Sequence, residues 1–197
     1  MKLNEIIFAS HNHGKIAEMT NILQPFGISL ITADEIEMPE VEETGTTFKE
    51  NATLKAVTIA KITGKACIAD DSGLCVKALN GRPGVYSARY APNRDFDLAM
   101  DKLLAEIKDS GQSDRSAYFA CVVVLAQPDG SCCSFEGRVD GKIAEAKNGT
   151  GGFGFDPVFI PEGYNQTFAQ LGADVKNTIS HRGRAMAKFI DFLKEAK

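Results

Sequence analysis

Several short stretches gather the side-chain types that handle phosphate. Ser10-His11-Asn12-His13-Gly14-Lys15 is a polar run between an apolar stretch and a helical pattern. Backbone N–H groups at a helix start, the Lys15 charge, and Ser10 and Asn12 as donors would cradle an anion. The same residues also suit a helix cap beside a solvated lysine. The run is not a Walker A loop, which needs G-x-x-x-x-G-K-[ST]. Asp70-Asp71-Ser72-Gly73 closes a strand-like stretch, and strand ends in α/β sheets collect catalytic groups. Successive side chains on a strand point to opposite faces, so only one of the two aspartates easily enters a given site. A plain turn competes with this reading, because Asp, Ser and Gly all favour turns. Glu42-Glu43-Thr44-Gly45 adds carboxylates ahead of a helix, where the macrodipole also welcomes acids. Lys55, flanked by Leu54, Ala56 and Val57, is either a phosphate partner or a snorkelling lysine.

Two further stretches suit a flat, acceptor-bearing ligand. Gly149-Thr150-Gly151-Gly152-Phe153-Gly154-Phe155-Asp156 contains G-x-G-x-x-G, but strand-like residues follow it, and the dinucleotide fingerprint must open a helix. Its glycines would let backbone approach a ring, with Phe153 offered for stacking and Asp156 for a hydrogen bond; either phenylalanine also suits core packing. Lys176 and Ser180-His181-Arg182-Gly183 form a basic cluster at a helix start. That placement opposes the macrodipole and points to an anionic or acceptor-rich ligand, a solvated cap being the alternative. His11, His13 and His181 are the only histidines, and no two sit four apart on a helix. A metal would therefore rest on carboxylates beside phosphates, which indicates Mg²⁺. The absence of G-x-S-x-G argues against a Ser-His-Asp hydrolase.

These groups need elements to hold them. Glu5 to Ala9 predicts a buried strand. Ile16, Met19, Leu23 and Phe26 recur three and four apart, a helix ended by Pro25 and Gly27. Ile28 to Ile31 predicts a second strand, before an irregular acidic stretch from Asp34 to Glu43. Thr47-Phe48-Lys49-Glu50 is a capping box for a helix running to Thr63, with Gly64 beyond it. Ala66 to Ala69 and Leu74 to Leu79 predict two strands on either side of the aspartates. Asn80 to Pro92 is a long loop rich in Gly, Pro, Tyr and Arg, and such loops are often functional. Phe96 to Ile107 predicts a helix closed by Gly111. Pro128-Asp129-Gly130 joins two strands, Ala117 to Ala126 and Cys132 to Val139, as a hairpin. Asp156 to Pro161 predicts another strand, and a last helix begins near Ser180. The alternation indicates an α/β fold, its sheet made mixed by the hairpin.

Composition sets outer limits. The 197 residues suffice for one substantial core or two joined lobes. Apolar residues at 44% and charged residues at 24% indicate a globular chain. A net charge of −4 disfavours general binding to nucleic acid or anionic membrane, so a phosphate site has to be built locally. Cys67, Cys75, Cys121, Cys132 and Cys133 have no C-x-x-C spacing and are expected as buried hydrophobes in a reducing compartment. With no signal-like or membrane-length apolar run, the expected location is cytoplasmic, and the N-x-T matches at Asn51, Asn148 and Asn165 are then chance.

In order along nearly the whole chain, FASHNHGKIAE, EETGTTFKENATLKA, ADDSGL, GRPGVYSARY, GTGGFGFDPVF and KNTISHRGRA resemble the motifs of the inosine triphosphate pyrophosphatase (Ham1-like) family. The resemblance implies a long mixed sheet with flanking helices, one domain over residues 1–197 with two lobes around a substrate cleft, and a homodimer. It implies hydrolysis of deaminated purine nucleotides (ITP, dITP, XTP) to monophosphate and pyrophosphate with Mg²⁺. By the same resemblance Ser10, His11, Asn12, His13, Gly14 and Lys15 bind triphosphate, Lys55 lies near the phosphates, and Glu43 and Asp71 hold Mg²⁺, with Asp71 also the general base. Ser72 contacts substrate; Phe153, Gly154, Phe155 and Asp156 form the base-binding segment; Lys176, His181 and Arg182 complete the nucleotide contacts. Phe155 stands where the family often has tyrosine and lacks its hydroxyl. A Maf-like pyrophosphatase for other modified nucleotides is the enzymatic rival. A nucleotide sensor without turnover would not need both Glu43 and Asp71.

Overall fold

In the computed structural model, which describes residues 4–195, the apolar stretches become strands of one sheet. They are β1 (Glu5–Phe8), β2 (Ser29–Ile31), β3 (Cys67–Val76), β4 (Ser116–Ala126), β5 (Cys132–Ile143) and β6 (Phe159–Pro161). Their order is β2-β1-β3-β4-β5-β6. β1 pairs parallel with β2 and β3, whereas β6 pairs antiparallel with β5, so the sheet is mixed as the sequence predicts. The helices are α1 (His13–Leu23), α2 (Phe48–Thr63), α3 (Phe96–Asp109), α4 (Ala173–Ile179) and α5 (His181–Glu195). No helix among the described residues is long and apolar enough to cross a membrane.

The chain divides into two compact units. The first comprises Met1–Asp71, Cys121–Gly137 and Arg182–Lys197; the second comprises Ser72–Ala120 and Arg138–His181. In the first unit the period-two alternation of the strands feeds two cores. Ile6, Phe8, Ile68, Cys121 and Val123 pack with Met19 and Leu23 of α1 and Ala185, Met186 and Phe189 of α5. The alternate residues Ile7, Ala9, Cys67, Ala69, Val122 and Val124 pack with Ala52, Ala56, Ile59 and Ala60 of α2. Strands covered on both faces read as unbroken apolar runs, which is how β1 and β4 look in the sequence. In the second unit Leu74, Val76, Phe119, Val139 and Phe159 pack with Met100, Leu103 and Ile107 of α3.

The largest departure from the sequence reading is at the aspartates. The expected break at Asp70 is absent: β3 runs unbroken from Cys67 to Val76, with Asp70 and Asp71 in its middle. Leu74 to Leu79 is correspondingly shorter as strand and ends in a 3-10 turn, Lys77–Leu79. Asp156–Val158 is likewise a 3-10 turn, leaving only Phe159–Pro161 as strand. α4 was not anticipated, and α1 begins at His13, so that Lys15 lies in its first turn. The cysteine expectation holds for Cys67, Cys75 and Cys121, which are buried; Cys132, at the start of β5, is exposed, and Cys133 is half-buried. Burial pushes the Cys67 and Cys121 thiols up to about 12.

The capping box forms as read. Thr47 Oγ1 accepts from Glu50 N–H at 3.1 Å, and Glu50 Oε2 accepts from Thr47 N–H at 3.0 Å and Thr46 N–H at 2.7 Å. These bonds fasten the preceding loop to the first turn of α2. Thr47→Ala is expected to lower stability by about 1 kcal/mol, measured by urea denaturation; an unchanged midpoint would show that the cap is redundant.

Candidate active site

The alternation of β3 sends its two aspartates to opposite faces. Asp70 shares the parity of Ile68 and meets α1 and α5. Asp71 shares that of Cys67 and Ala69 and meets α2.

Around Asp70 lies a buried charge cluster. Asp70 Oδ2 is 3.1 Å from Lys15 Nζ and 2.9 Å from Arg182 Nη2. Arg182 Nη1 donates to Glu18 Oε2. The Asp70 and Arg182 side chains are 0% and 1% exposed, against 15% for Lys15. Burial pushes the Asp70 pKa up, but Lys15, Arg182 and Lys55 outweigh it and hold the carboxyl well below the usual range. Burial likewise opposes the Arg182 charge, and Asp70 and Glu18 outweigh it. Two acids and two bases thus compensate one another where single charges would be intolerable.

The loop before α1 aims Lys15. Asn12 caps the helix, its Oδ1 accepting from Lys15 N–H at 3.0 Å, and Ser10 Oγ accepts from Asn12 N–H at 3.2 Å. Ser10 and Asn12, expected as donors to phosphate, here use their side-chain oxygens as acceptors within the loop. Gly14 is half-buried. His11 and His13 are exposed, with His13 Nδ1 4.0 Å from Asp34 Oδ2.

On the opposite face, Asp71 Oδ2 accepts from Asn51 Nδ2 at 3.0 Å. One helical turn along α2, Lys55 Nζ donates to Glu43 Oε1 at 2.5 Å. Burial raises the Asp71 pKa and the Glu43 charge adds to the rise, against the pull of Lys55, Lys15 and the Asn51 hydrogen bond. Burial alone would lower the Lys55 pKa, but Asp71, Asp70 and Glu43 together raise it, so the amine stays charged. The structure therefore brings Lys15, Glu43, Lys55 and Asp71 into one electrostatic group in the first unit. Ser72 follows Asp71 on β3 and is half-buried.

The candidate base-binding segment lies in the second unit. Asp156 Oδ2 accepts from Phe153 N–H at 2.9 Å and from Lys176 Nζ. Lys176 Nζ stands 4.7 Å from the Phe153 ring centroid. Gly152 lies at φ 71°, and a Cβ there would come within 2.1 Å of Asp156 Oδ2, so only glycine lets this carboxylate close against the backbone. Phe153 and Gly154 are half-buried. The Phe155 side chain is 2% exposed and packs edge-on against Phe96 and Tyr90 in the core of the second unit. The His181 ring stacks on Phe119 with centroids 4.6 Å apart.

Sequence reasoning passed over Glu18 and Asn51. Both stand at helical spacing from a residue it did select, Glu18 three after Lys15 and Asn51 four before Lys55, and that spacing places them on the same helix faces.

Residues 6–192 match the model of the Ham1 family. The chain belongs to the Ham1 family. It is similar to the dITP/XTP pyrophosphatase of Agrobacterium fabrum, at 46% identity over 97% of this chain and 96% of that protein. It is also similar to the dITP/XTP pyrophosphatase of Streptomyces coelicolor, at 47% over 98% of each. Among solved structures, a HAM1 protein from Coxiella burnetii superposes with a TM-score of 0.90 at 42% identity, covering 98% of this chain and all of that one. The Staphylococcus aureus Ham1 protein superposes with a TM-score of 0.86 at 44% identity and the same coverage. Six sequence motifs anticipated this Ham1 membership, and the mixed sheet with flanking helices agrees with it.

The buried cluster generates a pH prediction. Because the folded Asp70 pKa is depressed, its stabilisation is full above the unfolded value near pH 4 and is lost as pH falls toward the folded value. Asp70→Asn takes the paired carboxylate from Lys15 and leaves Arg182 with Glu18 alone, and is expected to cost about 3–5 kcal/mol at pH 7. The gap to the native protein should narrow below about pH 4. A gap independent of pH, in denaturant melts across this range, would contradict the assignment.

Proposed function

We propose that the chain hydrolyses deaminated purine nucleoside triphosphates, namely ITP, dITP and XTP, to the monophosphate and pyrophosphate with Mg²⁺. The observation that carries this reading is a buried carboxylate of raised pKa, Asp71, grouped with Glu43 and the lysines Lys15 and Lys55. The names of the curated relatives support it. Under the same reading the protein works in the cytoplasm as a homodimer on free nucleotides, with neither nucleic acid nor membrane as partner.

Hydrolysis at the α-phosphorus forms a bond from water oxygen to phosphorus and breaks the bond to the pyrophosphate oxygen. Asp71 takes the proton of the attacking water. A carboxylate with a raised pKa is the stronger base, and such general-base help contributes roughly 10²- to 10⁴-fold. Lys15 and Lys55 meet the negative charge that builds on the α-oxygens and the leaving pyrophosphate. Ser10 to Gly14 shape the loop that presents Lys15, and Ser72 follows Asp71 on β3. Glu43 and Asp71 suit Mg²⁺, which usually takes one or two protein carboxylates together with substrate phosphates and water. The Glu43 charge raises the Asp71 pKa, a repulsion that a cation relieves, and among the described residues no group of three ligating side chains forms an all-protein site. Bound there, Mg²⁺ would supply Lewis-acid neutralisation of phosphate charge.

Base choice is a matter of hydrogen-bond polarity. Hypoxanthine and xanthine carry a 6-carbonyl acceptor where adenine carries an amino donor, so a site of fixed donors accepts one and rejects the other. Phe153 offers its ring for stacking. Asp156, accepting from Phe153 N–H and Lys176, orders that segment. Lys176, His181 and Arg182 are the donors assigned to the ligand, and Arg182 is preorganised for this by Glu18 and Asp70.

With ITP and Mg²⁺ the expected products are IMP and pyrophosphate in equal amounts, resolved by anion-exchange chromatography, and Asp71→Asn should abolish nearly all of that turnover in a folded protein. Release of IDP and orthophosphate would overturn attack at the α-phosphorus. Arg182→Lys keeps a charge but loses the planar fork. It should narrow the ITP-over-ATP ratio of kcat/KM by about tenfold, the effect of one mismatched buried hydrogen bond. An equal fall for both nucleotides would confine Arg182 to anchoring Asp70.

A further inference from the structure

Asn51 touches the proposed general base. It lies in the first turns of α2 and is fully buried. Its side chain makes two hydrogen bonds of opposite sense. Nδ2 donates to Asp71 Oδ2 at 3.0 Å, while Oδ1 accepts from Gly45 N–H at 2.8 Å. The donor–acceptor chemistry leaves no freedom in the amide's orientation, since a carboxylate can only accept from it and an N–H can only donate to it. Gly45 is two residues from Glu43, and a Cβ at Gly45 would stand 2.7 Å from Asn51 Oδ1 and 2.6 Å from Glu50 Cβ. The loop bearing Glu43 is therefore drawn against α2 by a contact that only glycine permits, and the same amide reaches across to β3.

We infer that Asn51 is a positioning residue for the reaction. Its amide clamps one oxygen of Asp71 and the Glu43 loop at once, fixing the rotation of the Asp71 carboxylate and its placement relative to Glu43. The inference rests on the reading of Asp71 as general base. Orientation of a carboxylate against a water and a phosphorus affects the chemical step, whereas Lys15 and Lys55 provide the grip on phosphate. Loss of the clamp is thus a loss of kcat more than of affinity. A purely structural asparagine would show the reverse pattern: lower thermal stability with normal turnover in the folded fraction.

The test compares Asn51→Asp, Asn51→Ala and Asp71→Asn. Asn51→Asp is nearly isosteric and keeps the acceptor for Gly45 N–H, while replacing the donor to Asp71 by an oxygen. Asn51→Ala removes both bonds. Turnover of ITP is measured together with calorimetric binding of an α,β-methylene analogue of ITP, at temperatures below each variant's melting transition. The expected result is a fall in kcat of about 10- to 100-fold in both Asn51 variants. Analogue binding should stay within about threefold of the native protein. Native turnover in folded Asn51→Asp, an equal loss of analogue binding and kcat, or failure of Asn51→Asp to fold would each overturn the inference. If Asn51→Ala fails to fold, Asn51→Asp alone decides. Native turnover in Asp71→Asn would instead remove the general-base reading itself, and the two failures are distinguished by which variant stays active.

Discussion

A strand cannot send two consecutive side chains to the same face, and in this chain that rule falls between Asp70 and Asp71. One carboxylate enters the face packed by α1 and α5 and meets Lys15 and Arg182. The other enters the face packed by α2 and meets Asn51. Much of the first unit is arranged to accommodate those two charges in the middle of an otherwise apolar strand. The capped start of α1 brings Lys15 to one side, the start of α5 brings Arg182 to the same side, and α2 with the loop tied to it brings Lys55 and Glu43 to the other.

The two environments push the aspartates apart in acidity, although the residues are neighbours in sequence. Both are disfavoured as anions by burial. Asp70 receives direct ion pairs from two cations and stays ionised well below the ordinary range; Asp71 receives a neutral amide, lies near Glu43, and is raised. Carboxylates whose environments separate their pKa values fall into distinct roles. The permanently charged one suits a structural counter-ion for Lys15 and Arg182. The one nearer its protonated form suits exchange of a proton with water. Lys15 and Lys55 act on both, so the division is a matter of degree set by contact distance, not of separate sites.

What the sequence disclosed follows the range of the forces involved. The capping box at Thr47 and Glu50, the Pro128-Asp129-Gly130 turn and the helix ending at Gly64 are local, and the structure forms them where they were read. The unbroken course of β3 was not legible, because Asp70-Asp71-Ser72-Gly73 has the composition of a turn. Only charges from Lys15, 55 residues before Asp70, and from Arg182, 112 residues after it, make it acceptable as strand. Phe155 could not be told apart from Phe153 by spacing, since its burial depends on Phe96 and Tyr90. The role of Asn51 is not legible in the sequence, because its partners, Gly45 and Asp71, show no pattern with it until the loop and strand close around α2. The family motifs carried the site assignment further than the local patterns did, since each motif alone has an ordinary structural explanation.

The dependence on alternation makes the register of β3 a functional constraint as well as a structural one. Its pairing with β1 matches Ile7 to Cys67 and Phe8 to Ile68. A slip by one residue would turn every side chain to the other face. Asp71 would then face Lys15 and Arg182, and Asp70 would face Asn51, so an aspartate would still stand at each position. Electrostatics alone therefore discriminates weakly between the two registers. The apolar residues decide: Ile68 fits among Phe8, Met19 and Phe189, whereas Cys67 and Ala69 are the small residues that let Ala52, Ala56 and Ala60 bring α2 close. Exchanging them would press a large side chain into the alanine face and leave a void under α1 and α5, penalties of overpacking and cavity formation together. Which aspartate faces α2 is thus decided by the size of their apolar neighbours.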